Sequence, residues 1–223
     1  MIAVDMPTDA YRRQAWERAL LAGLLLGHFL FVTFRSLASG HPENLLWLSH
    51  AATLIGGLGI LFGHRRMVCV ALVCLLEGHL LWISDIVGKW ITGTRWLGVT
   101  LYLDRADWAD WVQSMNHFLA VPALLFTAIT RTGVDRKAWV SAACLFAVLA
   151  AVSAFLPAES NINSAHRVWE GLDQTVVGHL NALPPALYVA AVVVLNVIGS
   201  FWPSNWLLYR LLRRFPATVE ARG

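Results

Sequence analysis

The chain has 223 residues, of which 57% are hydrophobic and 14% are charged, and its formal net charge is +3. Soluble domains usually carry about 25% charged residues, so this composition excludes an ordinary soluble domain, which would expose several apolar helices to water. The basic residues flank apolar segments and form no stripe with interleaved aromatics, which excludes a nucleic-acid-binding protein. The composition predicts a single transmembrane domain over residues 1–223.

Six apolar segments approach the length of about 20 helical residues that a bilayer crossing requires. In chain order they lie at 17–38, 45–63, 67–89, 112–131, 138–156 and 183–203. The sequence therefore predicts an all-α polytopic membrane protein with about six transmembrane helices in one bundle. Gly56 and Gly57 suggest a weak break in the second segment.

The basic residues predict the orientation of these segments, because short cytoplasmic loops are enriched in Lys and Arg. With six alternating segments, twelve of the 17 basic residues fall on the N-terminal side. They are Arg12, Arg13, Arg18, Arg65, Arg66, Arg131, Arg136, Lys137, Arg210, Arg213, Arg214 and Arg222. The other side has Arg35, Lys89, Arg95, Arg105 and Arg167. This asymmetry predicts a multi-pass protein of the inner (cytoplasmic) membrane with both termini in the cytoplasm.

Two long loops, 90–111 and 157–182, fall on the predicted outer side, and long loops in compact proteins are often functional. The first loop contains four tryptophans suited to an aromatic belt at the membrane interface. They are Trp90, Trp96, Trp108 and Trp111. Asp104 is expected to cap a short interfacial helix that leads into the fourth segment.

Six ionisable residues lie within the apolar segments, where such side chains are costly and usually face the bundle interior. They are His28, His50, Glu77, His79, Asp85 and His117. At 1.5 Å per residue, His50 and His117 lie at similar depths below the outer ends of their helices. The positions predict one polar cavity that opens outward. The alternative is that the histidines are hydrogen-bonded packing residues and that Asp85 is interfacial.

Glu77 and His79 lie two positions apart, or about 200° around a helix, so they cannot both point squarely at one site. In the second outer loop, Asn161, Asn163 and His166 are predicted to roof the cavity and bind a polar head group. The alternative is that these loop residues cap helices and satisfy turns.

Four short motifs occur in order along the chain. They are Leu48-Ser49-His50, Met115-Asn116-His117-Phe118, Asn161-Ile162-Asn163 and Pro184-Pro185-Ala186-Leu187-Tyr188. This order resembles the YwaF-like six-helix membrane proteins, a family with a eukaryotic branch linked to acyl transfer on phospholipids. The resemblance implies a nucleophile near the start of the second span and a histidine on the fourth. The acyltransferase branch has a cysteine as nucleophile, whereas the nearest such residue here is Ser49.

The leading functional prediction is an intramembrane enzyme that acts on a lipid or amphipathic substrate at the outer leaflet, by acyl transfer or hydrolysis. Ser49 or a water is the expected nucleophile, and His117 and His50 form the acid/base pair. Glu77, His79 or Asp85 would orient them, and His79 would also help to bind the substrate. This chemistry requires no cofactor, and the expected partners are membrane lipids.

Two alternatives stay open at the level of sequence. Neutral imidazoles of His50, His79 and His117 could ligate a metal or haem, although no metal-binding spacing is present. The second alternative is a transporter, or a subunit of a larger membrane complex or homo-oligomer, with the Trp-rich loop as its contact. Transporters often have inverted repeats or broken helices, and the sequence shows neither.

Overall fold

The computed structural model describes residues 8–169, 172–173 and 175–215, and the regular secondary structure within these residues is helical. The α-helices found there are α1 (Thr8–Ala38), α2 (Leu48–Phe62), α3 (Arg65–Thr92), α4 (Trp108–Ser114), α5 (Asn116–Thr127), α6 (Ala138–Ser153), α7 (Pro185–Asn196) and α8 (Trp202–Leu212). Short 3₁₀ turns precede α2, α4 and α7. The all-α prediction is confirmed.

Four helical stretches are long and apolar enough to cross a membrane. They are Arg12–Ala38, Arg65–Thr92, Trp108–Thr132 and Pro185–Leu212. The other two predicted segments form the shorter apolar helices α2 and α6, of 15 and 16 residues. At 1.5 Å per residue these are about 22 and 24 Å long, against about 30 Å for a hydrocarbon core. The six-span count therefore stays a prediction.

Two of the long stretches contain a π-helical turn, at Ala128–Thr132 after α5 and at Val197–Phe201 between α7 and α8. Such turns are rare and often occur near functional sites. These turns were not predictable from the sequence, because an extra residue in one helical turn leaves no compositional trace. The helix α2 continues through Gly56 and Gly57, in keeping with the expectation that the sequence has no broken helix.

These two glycines serve close helix packing. A Cβ added to Gly56 would lie 2.9 Å from the Leu124 side chain and 3.1 Å from that of Ala71. A Cβ added to Gly57 would lie 2.8 Å from the Leu26 side chain. Small residues allow helix backbones to approach closely in this way. As a result the short helix α2 packs tightly against α1, α3 and α5.

The helix α3 is the centre of the bundle. It contacts α2 and α5 as well as α6 and α8. Residues 68–75 are all buried, so this half of α3 is covered by protein on every side, as expected for a helix that is apolar all round. The elements that carry functional side chains are therefore positioned around α3.

Polar contacts join the helix ends into two groups, one at each end of the bundle. At one end Arg131 donates a hydrogen bond of 3.0 Å to the Gln14 carbonyl of α1. At the same end the Arg66 guanidinium of α3 donates to the Ser141 hydroxyl of α6 at 2.9 Å. We call this the basic end, because the predicted cytoplasmic Lys and Arg residues that the structure describes lie near it; Arg222 falls outside the described residues.

The opposite end contains the long connections, and we call it the loop end. Arg35, near the end of α1, donates to the Asp110 carboxylate of α4 at 2.6 Å. The connection after α6 reaches the start of α2, where Asn163 accepts a hydrogen bond from the Leu48 N–H at 2.8 Å. Both predicted outer loops therefore lie at the same end of the bundle.

Many large apolar side chains remain exposed on the long helices. Phe34 of α1 is 74% exposed, and Leu20, Leu187, Ile198 and Trp202 are exposed as well. Apolar surface in water costs about 25 cal/mol per Å², and a surrounding bilayer removes that cost. This outer surface and the four long apolar helices are compatible with a membrane protein.

Candidate functional site

Three aromatic side chains stack near the loop end, and we call them the aromatic stack: His79 and Trp82 of α3, and His117 of α5. The His79 and His117 ring centroids are 4.5 Å apart. The Trp82 ring stacks on the His117 ring, with the two centroids 4.5 Å apart and an interplanar angle of 12°. His79 and Trp82 share one helix face because they are three residues apart. The stack fixes the His117 ring against α3.

Both histidines of the stack bind backbone carbonyls. His117 Nδ1 lies 3.0 Å from the Ser114 carbonyl oxygen, and His79 Nε2 lies 3.0 Å from that of Asn116. Since a carbonyl oxygen only accepts, each of these nitrogens carries the proton. In the neutral ring the other nitrogen then has a free lone pair. For His117 that nitrogen is Nε2.

Two further histidines follow the same pattern. His50 Nδ1 lies 2.8 Å from the Asn44 carbonyl oxygen, and His28 Nε2 lies 3.0 Å from that of Gln113. His50 and His79 are buried, whereas His28 and His117 are half-buried. The accessible histidine of the stack is therefore His117.

Buried polar atoms without partners lie beside the stack. Asn116 is 1% exposed, and neither its Oδ1 nor its Nδ2 has a hydrogen-bond partner among the described residues. The same holds for His28 Nδ1. A buried polar group without a partner costs about 1–3 kcal/mol, so such groups require an explanation. The interior near His117 thus has unused donors and acceptors.

The connection between α3 and α4 touches the stack through Tyr102. Trp82 Nε1–H donates to the Tyr102 hydroxyl at 3.0 Å, and that hydroxyl lies 2.9 Å from the Ser114 hydroxyl. Ser114 also provides the carbonyl that binds His117. The connection between α3 and α4 therefore helps to fix the rings of Trp82 and His117, which stack on each other.

Asp85, a predicted catalytic residue, anchors this connection. Its Oδ1 accepts from the N–H groups of Leu97 at 2.7 Å and Gly98 at 3.1 Å. Its Oδ2 accepts from the Thr100 N–H at 2.8 Å and the Thr100 hydroxyl at 2.6 Å. A carboxylate has about four lone-pair positions, so none remains for an imidazole. The geometry gives Asp85 a structural role, and its predicted catalytic role has no support.

The helix cap predicted at Asp104 is wrong. Asp107 caps α4 instead, accepting from the Asp110 N–H at 2.8 Å, while the Asp110 carboxylate accepts from the Asp107 N–H. Asp104 pairs with Arg95 at 2.7 Å, and this hydrogen bond holds the pKa of the Asp104 carboxyl below its ordinary value. Three closely spaced aspartates made the capping residue ambiguous in the sequence.

The loop residues predicted to bind a head group bind backbone instead. Asn163 donates to the Leu46 carbonyl at 2.8 Å in addition to accepting from Leu48. Asn161 Oδ1 accepts from the His166 N–H at 3.1 Å, and His166 Nε2 donates to the Ser153 carbonyl at 3.2 Å. The structure thus favours the alternative, in which these side chains hold turns and helix ends. Head-group binding by them stays a prediction.

Ser49 and Glu77 are not joined to the stack. Within the described part of the chain, no hydrogen bond links the Ser49 hydroxyl to an imidazole, although the Ser49 carbonyl accepts from Thr53 at 2.7 Å. Glu77 Oε2 is buried and has no partner among the described residues. Its position about 200° from His79 on α3 turns it away from the stack. Neither predicted catalytic role is tested by these contacts.

The metal alternative lacks a suitable ligand set. Among the described residues, no group of three or more His, Cys, Asp or Glu side chains is arranged to hold a metal ion. His50, His79 and His117 each direct one ring nitrogen at a backbone carbonyl. The rings of His79 and His117 lie against each other at an interplanar angle of 33°.

Sequence reasoning missed Trp82, Tyr102 and the buried side chain of Asn116. Trp82 had a usable signal, since it lies three residues after His79 and so shares its helix face. Tyr102 had none, because its position depends on how the connection folds. A comparison with family models, curated proteins and solved structures found no match to this chain.

Proposed function

We propose that this chain is a six-span integral membrane protein of the inner membrane, with both termini and the basic end in the cytoplasm. The asymmetry of Lys and Arg supports this orientation, and so does the gathering of helix ends into a basic end and a loop end. The four tryptophans predicted for an aromatic belt are exposed at the loop end. In this arrangement α2 and α6 are shorter than the hydrocarbon core, and the turns next to each helix supply the remaining length of its membrane crossing.

We further propose that the loop end is an enzyme site for a lipid or another amphipathic substrate, with His117 as the general base. The observation that carries this proposal is the fixed His117 ring. Its Nδ1–H is held by the Ser114 carbonyl, and its faces are held by His79 and Trp82. A histidine oriented through one nitrogen presents the other nitrogen as a base.

The neighbouring groups have roles in this proposal. His117 Nε2 takes the proton from the water or hydroxyl that attacks the ester carbon, and the Ser114 carbonyl stabilises the imidazolium. The imidazolium then returns the proton to the alcohol oxygen that leaves as the ester bond breaks. The unpartnered Asn116 amide donates a hydrogen bond to the substrate oxygen on which negative charge develops. Water is the favoured nucleophile, because no hydrogen bond joins Ser49 to an imidazole among the described residues. The reaction class is hydrolysis or acyl transfer of an ester.

His117→Ala is expected to lower lipid turnover by at least about a hundredfold, since a positioned general base contributes roughly 10²–10⁴ in rate. The measurement is conversion of defined phospholipids by protein reconstituted in liposomes, with products identified by mass spectrometry. Added imidazole should restore part of the lost rate, because it supplies a base in the space left by the ring.

The matched control is His41→Ala, which removes an exposed loop-end histidine that pairs with Glu43 outside the stack. This variant should keep wild-type turnover. Wild-type turnover by His117→Ala would overturn the proposal, and so would an equal loss in both variants or no conversion by the wild-type protein.

A further inference from the structure

A second site candidate lies at the basic end, remote from the aromatic stack. A cavity of about 260 Å³ opens between the first turns of α1 and the π-helical turn after α5. Its lining residues are Arg13, Gln14, Glu17, Phe126, Thr130 and Arg131. No part of the acid/base chemistry proposed above uses this cavity.

The cavity has an excess of positive charge. Arg131 has a side chain that is only 7% exposed, and it pairs with the Glu17 carboxylate and donates to the Gln14 carbonyl. Arg13 pairs with the other oxygen of Glu17 at 3.0 Å, and its side chain is 84% exposed. Two guanidinium groups therefore share one carboxylate. One net positive charge remains, and most of the Arg13 guanidinium faces outward.

The walls of the cavity combine this charge with an apolar side. Phe126 is partly exposed and precedes Arg131 by five residues, or about 7.5 Å of helix. In a membrane-spanning helix this places the guanidinium groups near the head groups and the phenyl ring beside the acyl chains. Basic pockets between helices at this level recognise anionic lipid head groups.

We propose that this cavity binds the phosphate group of an anionic phospholipid in the leaflet at the basic end, with an acyl chain along Phe126. Arg13 is the accessible contact of the phosphate, and Arg131 provides the fixed positive charge behind it. This inference rests on the proposed membrane insertion and is independent of the proposed reaction, which concerns the other end of the bundle.

The test uses the full-length protein in nanodiscs made from equal parts phosphatidylglycerol and phosphatidylcholine. The measured quantity is the phosphatidylglycerol preference, which is the ratio of phosphatidylglycerol to phosphatidylcholine that the protein retains. Arg13→Gln should lower the phosphatidylglycerol preference about fivefold, since one Arg near an anionic surface contributes about 1 kcal/mol. Phe126→Ala should lower it as well. Arg131→Gln should have the largest effect, but Arg131 is buried and also holds the Gln14 carbonyl of α1, so the exposed Arg13→Gln is the deciding variant.

The matched control is Arg12→Gln, which removes the same charge one residue earlier, outside the cavity lining. An unchanged preference in this control, with wild-type melting temperatures for both variants, supports the site. Equal losses in Arg12→Gln and Arg13→Gln would show general attraction to an anionic surface and overturn the proposal. Displacement of the lipid by millimolar inorganic phosphate would overturn the lipid assignment. The outcome of these binding experiments is independent of the turnover measured for His117→Ala.

Discussion

Asp85→Ala is expected to lower the free energy of unfolding by about 3–5 kcal/mol, the range for removing one partner of a buried charged network. Asp85 is 0% exposed, and its carboxylate accepts four hydrogen bonds from residues 97–100. Alanine leaves the three N–H groups and the Thr100 hydroxyl without an acceptor. The measurement is thermal and chemical unfolding of the detergent-solubilised protein, together with limited proteolysis between residues 93 and 107.

Asp85→Asn should lose most of the same stability, because its amide NH₂ turns a donor towards groups that are themselves donors. The control is Asp104→Asn, which removes the partner of Arg95 in the same connection. Asp104 is exposed, and asparagine keeps an acceptor oxygen for the Arg95 guanidinium, which also donates to Thr100, so this variant should lose far less stability than Asp85→Ala. A wild-type unfolding curve for Asp85→Ala would contradict the assigned anchoring role.

The second large effect is expected for Asn163→Ala, at about 2–4 kcal/mol of lost stability. Asn163 is buried between three elements, accepting from Leu48 at the start of α2 and donating to the Leu46 carbonyl. Each buried group left without a partner costs about 1–3 kcal/mol. In addition, Asn163 has a φ of 55°, a left-handed conformation that costs alanine about 1–2 kcal/mol.

Asn163→Gly separates these two causes. Glycine adopts the left-handed backbone at no steric cost but loses both side-chain hydrogen bonds. Its stability should therefore lie between those of Asn163→Ala and the wild type. The measurement is denaturant unfolding of the three proteins under one set of detergent conditions. Equal stability of Asn163→Ala and the wild type would show that this side chain does not hold α2 to the loop end.

The helical segments were the most predictable part of the fold. Each predicted segment coincides with helix, because long apolar runs between basic turns are a strong signal. The second segment was predicted too long at its start. Pro42–Leu46 forms a 3₁₀ turn, and Trp47 has an extended ψ of 131°, so α2 begins at Leu48. Hydropathy counts apolar residues and is insensitive to this local change of conformation.

The roles of single polar residues were less predictable. Asp85 and His117 looked alike in sequence, as ionisable residues within apolar segments. The structure separates them, since Asp85 is saturated by backbone donors and His117 has one ring nitrogen left. That difference depends on how residues 93–107 fold back onto α3, which is a tertiary contact with no local pattern. For the same reason the sequence did not predict that Asn163 binds the backbone of Leu46 and Leu48, on either side of the start of α2.

Depth was nevertheless a useful guide. The helical rise of 1.5 Å per residue placed His50, His79 and His117 towards the loop end before any contact was known. The structure puts the rings of His79 and His117 in contact. Depth does not predict the rotation of each helix about its axis. It therefore did not predict the stacking with Trp82 or the carbonyl that each ring binds.

The proposed function requires that His117 carries its proton on Nδ1 and presents a free base at Nε2. The most direct test is NMR of the full chain with ¹⁵N-labelled histidine at neutral pH, with His117→Gln used for assignment. We expect His117 to give the signals of a neutral ring protonated at Nδ1, hydrogen-bonded, with Nε2 bare. A proton on Nε2 alone, or a doubly protonated ring, would contradict the proposed role of His117, because neither form presents a base at Nε2.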